Sequence, residues 1–243
     1  MEKNPTLSII TICYNIKDDI KRTCDSIVNQ TWQDFEWIVV DGGSTDGTVE
    51  ILKKYENRIN ILISEPDKGI YNAMNKGIKL AHGEWLNFMN GGDSYTTNDV
   101  LQNVFKGKSY DADILYGYVC MCHPNGNNKI CKYPSQISKL YFYNRIINHQ
   151  ASFIKRSLFT KYGLYNEAYR IVSDWEKWIV FADNHCRFEP LKIVVADFWY
   201  GGIGSVKSVL HLTERDIVKS NYFKKKTELR IFGFIPLLSI EDK

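Results

Sequence analysis

The feature that most limits the fold of this chain is an alternation repeated through its first hundred residues. A short apolar run stops at a polar or glycine-rich segment, and a stretch with helical spacing follows. The runs are Leu7–Tyr14, closed by Asn15, then Phe35–Val40, closed by Asp41, then Ile59–Ser64, and finally Trp85–Met89, closed by Asn90-Gly91-Gly92-Asp93. Most are rich in β-branched residues and nearly continuous in apolar character, the pattern of parallel strands buried on both faces. Between them, Ile20, Cys24, Ile27 and Val28 recur at helical spacing, as do Val49, Leu52 and Tyr55. Ile70, Met74, Ile78 and Ala81 make a third stripe, stopped by Gly83. Strands alternating with helices require right-handed crossovers and a mainly parallel sheet flanked by helices, an α/β fold.

The second half is less regular. The spacing predicts a strand over Ile114–Cys120, a turn over His123–Asn128, and a strand within Ile146–Ile154 around His149 and Gln150. A helix is expected over Asp174–Ala182 with Trp175, Trp178, Ile179 and Ala182 on one side, then a strand over Ile193–Phe198 and a loop over Gly201–Gly204. With no internal repeat and no low-complexity linker, residues 1–205 read as one domain and residues 206–243 as an appended C-terminal segment, helical or apolar. In that segment Lys224-Lys225-Lys226 precedes the apolar, aromatic run Ile231–Leu238. Such a pair suits peripheral attachment to an anionic bilayer surface. Packing on the domain's own core, or on a second copy in a homodimer, is the equal alternative.

Composition closes off several classes. The net charge of +3 is too small to indicate nucleic acid as a partner. No run reaches the roughly 18 apolar residues of a membrane span, and the short polar N-terminus is not a secretory leader. The expected location is therefore the cytoplasm, with contact at the inner face of the membrane through the tail. The six cysteines are irregularly spaced and read as ordinary thiols. A zinc site from Cys120, Cys122, Cys131 and His123 is the alternative, although the C-x-C spacing is not that of a zinc knuckle.

In an open parallel sheet, ligands bind beyond the carboxyl ends of the strands. Tyr14-Asn15, Asp41-Gly42-Gly43-Ser44 and Asn90-Gly91-Gly92-Asp93 all lie at such ends and converge on one rim. Each alone is an ordinary turn or cap. Two carboxylates and two glycine pairs on one rim point instead to a ligand. An ionised Asp41 is an acceptor suited to a base N–H, and Gly42 and Gly43 let backbone approach the ligand. Asp93 is a hard-oxygen candidate for Mn²⁺ or Mg²⁺.

Four segments together resemble the family 2 glycosyltransferases of the GT-A (Rossmann-like) fold: Leu7–Asn15, Asp41–Gly47, Glu65-Pro66-Asp67-Lys68-Gly69-Ile70-Tyr71-Asn72-Ala73-Met74-Asn75-Lys76-Gly77, and Leu86–Asp93. The likeness continues more loosely through His149-Gln150 and Ser173-Asp174-Trp175-Glu176, and points to bacterial enzymes of capsule, O-antigen or exopolysaccharide synthesis. It implies a metal-dependent, inverting transfer from a nucleotide-sugar donor, with UDP-sugar the expected form. The acceptor is expected to be a saccharide, usually polyprenyl-linked. Residues 1–100 become the nucleotide-sugar-binding half and residues 101–205 the acceptor-binding half. Asp41 is assigned to the base, and the backbone of Ile12 and Tyr14 to the base and ribose, with Asn15, Gly43 and Ser44 beside them. Tyr14 is a candidate to stack on the base. Asp67, Lys68 and Asn72 are assigned to the donor nucleotide, with Lys68 and the helix N-terminus after it suited to its phosphate or sugar; an exposed capping turn is the equal alternative for Lys68, and Asn72 either reaches the sugar or holds the loop. Asp93 is left as the metal carboxylate, because Asn90 and Gly92 stand where the family often has Asp. Asp174 matches the second position of the family's acidic pair and is the candidate general base; Ser173 replaces the first. Trp175 and Trp178 are candidates to stack on a sugar, although Trp178, at i+3, fits the core better. The Gln-x-x-Arg-Trp signature of processive synthases is absent. Two rivals stand beside this reading, a non-catalytic nucleotide-sugar-binding protein and a nucleotidyltransferase.

Overall fold

The computed structural model describes residues 4–199, 208–227 and 238–242. The first half follows the alternation closely: β1 (Leu7–Cys13), α1 (Ile20–Val28), β2 (Phe35–Asp41), α2 (Thr48–Lys53), β3 (Ile61–Ser64), α3 (Ile70–Leu80) and β4 (Trp85–Phe88). These strands lie in the order β3-β2-β1-β4, all parallel, with Leu7 opposite both Phe35 and Trp85, and Cys13 opposite Asp41. The carboxyl ends of β1, β2 and β4 are therefore neighbours. All of β1 is buried because each face is covered. Ile10 and Ile12 pack with Met74 and Ile78 of α3, while Leu7, Ile9 and Cys13 pack with Ile20, Cys24 and Ile27 of α1. That is the period-two alternation of a strand inside a three-layer sandwich.

The edge opposite the rim is tied by a buried carboxylate that the sequence pattern does not flag. Glu36 is 8% exposed and accepts from Ser8 Oγ (2.5 Å), the His82 amide (2.5 Å) and the Gly83 amide (3.2 Å). Burial alone pushes its pKa up, but the donors from Ser8, His82 and Gly83 outweigh that and hold it below the usual glutamate range. A depressed folded pKa adds stability above the unfolded value and loses it as pH falls through the folded one. Glu36→Gln is accordingly expected to cost about 1–3 kcal/mol at pH 7. Urea midpoints at pH 7 and at pH 3.5 check this; a gap between the two proteins that does not narrow in acid refutes it.

The remaining elements are β5 (Ser94–Tyr95), α4 (Val100–Phe105), β6 (Ile114–Cys122), β7 (Lys129–Cys131), β8 (Ser152–Lys155), α5 (Arg156–Tyr162), α6 (Ser173–Asp183), β9 (Phe188–Trp199), α7 (Val209–Tyr222), β10 (Phe223–Thr227) and β11 (Leu238–Asp242). The sheet continues from β4 through antiparallel β8 to β6, β9 and β5, giving nine strands with β7 on the side of β6. His149 and Gln150 are not in a strand as expected. They form a 3-10 turn over His149–Ala151, and only Ser152–Lys155 pairs with neighbours. The turn aims both polar side chains back toward the rim. Trp175 and Trp178 are each 1% exposed, and the Trp175 indole N–H donates to the carbonyls of Phe142 and Arg145. Both are core residues, since no face of either ring is left for a sugar.

The expected loop at Gly201–Gly204 lies outside the described residues, as does most of Ile231–Leu238. Lys224–Lys226 fall within β10, which pairs antiparallel with β11. No helix among the described residues is long and apolar enough to cross a membrane.

Candidate active site

The rim is built around the end of β1. The Ile12 carbonyl accepts the Gly91 amide and the Cys13 carbonyl accepts the Gly42 amide, each at 2.9 Å. The loops after β4 and β2 are thus tied to adjacent positions of one strand. A Cβ on Gly91 would come 2.2 Å from Ile16 Cδ1 and 3.0 Å from Cys13 Cβ, so only glycine lets that loop lie down. Asn15, in the left-handed region with φ 48, accepts the Thr45 amide (2.9 Å) through its side chain and gives its own amide to Ser44 Oγ (2.7 Å). Ile12 reaches the rim by backbone only; its side chain is in the core. Tyr14 is 60% exposed at the mouth.

Asp41 and Asp93 lie on the two loops that flank β1, but each carboxylate turns onto protein donors. Asp41 is fully buried. Its Oδ1 accepts from Ser44 Oγ (2.5 Å) and Cys13 Sγ (3.6 Å); its Oδ2 accepts from the amides of Gly43 (3.1 Å) and Ser44 (2.9 Å) and from Ser64 Oγ (2.7 Å). Its acceptor capacity is taken up by these donors, and in this arrangement Asp41 shapes the loop from within.

Asp93 is 6% exposed, with Oδ2 accepting from Gln150 Nε2 (2.7 Å) and Oδ1 from the Trp199 amide (3.2 Å). Burial pushes its pKa up to about 6, against the pull of those two donors. Arg22 borders the same loop: its guanidinium donates to the Gly92 carbonyl (2.7 Å) and lies 4.1 Å from the centre of the Trp199 ring. For a divalent cation the chain offers one unused lone pair on each Asp93 oxygen and the side-chain oxygen Oδ1 of Asn90, which is buried without a partner. These hard oxygens fit Mg²⁺ or Mn²⁺, but sparsely, with the other ligands left to diphosphate and water.

Asp174 lies at the start of α6 and is brought to the rim by two partners distant in sequence. Its Oδ1 accepts the Tyr71 hydroxyl (2.9 Å), and its Oδ2 is 3.2 Å from His149 Nδ1. His149 Nε2 is 3.0 Å from the Asn90 amide nitrogen. A neutral ring satisfies both contacts, with Nδ1–H donating to Asp174 and Nε2 accepting from Asn90. Burial, and after it the charge of Asp174, push the Tyr71 phenol well above its ordinary range, so it stays a donor. Asn90, His149 and Asp174 thus form one chain from the loop after β4 to α6.

On the β3 side, Asp67 Oδ1 accepts the Gly69 amide (2.7 Å). Asn72 is held away from solvent work: its Oδ1 faces the Lys68 amide (3.3 Å) and its Nδ2 donates to Glu167 (2.9 Å). The Lys68 side chain is exposed. Arg22, Tyr71, Gln150 and the pairing of His149 with Asp174 escape a reading of the sequence. Tyr71 and Arg22 look like ordinary members of amphipathic helices, and the other contacts join segments far apart in the chain.

The zinc alternative does not assemble as expected. Among the described residues Cys120 and Cys122 meet Asp197, with the two sulfurs 3.7 Å apart, and Cys131 and His123 are not part of that group. A cavity of about 670 Å³ lined by Thr6, His82, Glu84, Arg156 and Lys161 sits at the opposite, amino-terminal edge of the sheet, away from these groups.

Comparison with known proteins agrees with this architecture. Residues 8–163 match the family described as "Glycosyl transferase family 2". A Mycobacterium tuberculosis protein named "PGL/p-HBAD biosynthesis glycosyltransferase" is 36% identical over 208 residues, covering 83% of this chain and 80% of the relative. Among solved structures, S. aureus TarS 1-349 in complex with UDP-GlcNAc superposes with a TM-score of 0.68 at 21% identity, over 84% of this chain and 62% of that one. The mannosyltransferase PcManGT from Pyrobaculum calidifontis, in complex with GDP-Man and Mn²⁺, gives 0.64 at 19% identity, over 84% and 59%. The chain spans less than two thirds of these solved structures. They establish the GT-A fold, and the sequence match sets aside the nucleotidyltransferase and purely binding alternatives. The chain belongs to glycosyl transferase family 2, and it is a glycosyltransferase.

Proposed function

We propose that the protein is an inverting, non-processive glycosyltransferase that moves one sugar per encounter from a UDP-sugar to a saccharide on a lipid carrier, at the cytoplasmic face of the membrane. The observation that carries the reading is the Asp174 carboxylate, held between Tyr71 and His149 beside the loop that bears Asn90 and Asp93. In the reaction an acceptor hydroxyl gives its proton to Asp174 as its oxygen bonds to the anomeric carbon. The bond from that carbon to the diphosphate oxygen breaks on the opposite face, so the configuration inverts. Tyr71 and His149 orient the carboxylate. Arg22, which borders the loop after β4, sets positive potential near the leaving diphosphate. A divalent cation on Asp93 and Asn90, when bound, supplies further neutralisation of that charge. The absence of a Gln-x-x-Arg-Trp segment supports single transfers.

Screening UDP- and GDP-sugars for thermal stabilisation in Mn²⁺, then for release of nucleoside diphosphate, tests the donor class; no turnover with any of them rejects it. Product anomeric configuration by NMR tests inversion. The metal assignment makes a separate prediction. Asp93→Asn keeps an acceptor for the Trp199 amide but removes the charge, and the half-saturating Mn²⁺ concentration for donor hydrolysis is expected to rise by about tenfold or more, the scale of one lost charged ligand contact. An unchanged Mn²⁺ curve takes Asp93 out of the metal site.

A further inference from the structure

We propose that Cys120, Cys122 and Asp197 form a binding site for a thiophilic divalent cation of the Zn²⁺ class, separate from the hard-oxygen position at Asp93. The proposal stands on the side chains that β6 and β9 bring together and is independent of the sugar or acceptor the protein uses. Successive residues of a strand alternate between faces, so Cys120 and Cys122 of β6 share one face. β9 runs parallel beside it, with Asp197 opposite Cys120 and Trp199 opposite Cys122. The same alternation excludes Cys131, which lies on β7 opposite Val119 and so takes the other face. The C-x-C pair therefore meets an aspartate instead of the third cysteine.

The spacing of the three groups suits one ion. The two sulfurs are 3.7 Å apart. Two thiolates in a tetrahedron with zinc–sulfur bonds of about 2.3 Å stand about 3.8 Å from each other, so this pair can share an ion almost in place. One ligand atom from each of Cys120, Cys122 and Asp197 lies within 4.8 Å of the other two. With a zinc–oxygen bond of about 2.1 Å, the sulfur–oxygen edges would close to about 3.6 Å, a small side-chain rotation. The carboxylate already has outside support: its Oδ1 accepts Thr96 Oγ1 at 2.9 Å, and its Oδ2 accepts from none of the described residues. A ligating carboxylate is commonly steadied by such a second partner. Cys122 is 2% exposed, whereas Cys120 and Asp197 are half-buried, which gives an ion a buried anchor and a way in from solvent. Binding sends two thiol protons to solvent and oxidises nothing; water fills the fourth position. Sulfur ligands select Zn²⁺ over Mg²⁺ and Mn²⁺, so the two cation sites separate by chemistry. An ion here pins β6 to β9 two residues before Trp199, whose amide donates to Asp93.

The test titrates the full chain with Cd²⁺ as a spectroscopic probe, in a phosphine-reduced buffer without chelator. The ultraviolet thiolate-to-metal charge-transfer band should rise to a plateau at one equivalent, and Zn²⁺ should reverse it. Zn²⁺ should also raise the thermal midpoint where equal Mg²⁺ does not. Cys120→Ser and Cys122→Ser should each weaken Cd²⁺ at least about tenfold, and the double variant should lose the band. Asp197→Asn should weaken binding about tenfold and keep the band at saturation, since both thiolates remain. Cys131→Ser should leave the curve unchanged. If Cys122→Ser fails to fold, Cys120→Ser and Asp197→Asn, at less buried positions, carry the comparison. Wild type without a saturable band means that the thiols only pack together, and overturns the proposal. A band that survives in the double variant, or a tenfold loss in Cys131→Ser, places the metal on other cysteines and overturns it as well.

Discussion

Asp174→Asn is expected to slow transfer by about 100- to 10,000-fold, the span of general-base catalysis, while leaving donor affinity within about twofold. The substitution is nearly isosteric. The amide oxygen still accepts from Tyr71, and His149 can meet the amide nitrogen by exchanging tautomers while the Asn90 amide flips to offer its oxygen to Nε2–H, so the rim keeps its shape. What is lost is the group proposed to take the acceptor's proton. On the proposed reading donor binding rests on other residues and has no reason to change. Single-turnover transfer measured beside calorimetry of UDP separates the two quantities. Transfer within tenfold of wild type would remove Asp174 from the chemistry. His149→Ala and Tyr71→Phe are expected to act more weakly and in a different way, since both residues position the base. Each should displace the acidic limb of the pH–rate profile, a readout that a purely architectural role leaves in place.

Asp41→Ala is expected to destabilise the protein by about 3–5 kcal/mol, as breaking a buried charged network does. At about 2–4 °C per kcal/mol for a chain of this size, the thermal midpoint should fall by roughly 10 °C. The reason is in the donor list. Two backbone amides, from Gly43 and Ser44, and the hydroxyls of Ser44 and Ser64 would lose their acceptor, a carboxylate that is itself fully buried. The Ser44 hydroxyl is also the acceptor for the Asn15 amide, so the damage passes to the end of β1. Donor affinity should vanish with the loop. Asp41→Asn retains an acceptor for one side of this network and should fall between. A midpoint within about 3 °C of wild type for Asp41→Ala would mean that the loop does not depend on this carboxylate.

These two aspartates illustrate what a linear reading resolves. Asp41 is conspicuous because it ends a buried strand and precedes two glycines, and that was enough to place it on the rim. Its direction is a different matter. Whether a carboxylate at a strand end faces ligand or loop depends on which donors reach it, and Ser64 comes from the neighbouring strand. Trp175 and Trp178 show the same limit: spacing marks them as one face of a helix, but burial turns that face to the core.

The alternation of apolar runs and helical stripes determined the parallel half of the sheet, its flanking helices and the rim on which the polar strand ends gather. It did so because period-two and helical patterns are local properties, legible wherever both faces of a strand are covered. The tertiary structure alone decided the antiparallel continuation through β8, the 3-10 turn that aims His149 and Gln150 at the rim, and the chain from Asn90 through His149 to Asp174. Those features are contacts between segments far apart in the chain. A hydrogen bond is set by the distance and angle between two groups in space, and no spacing along the backbone encodes it.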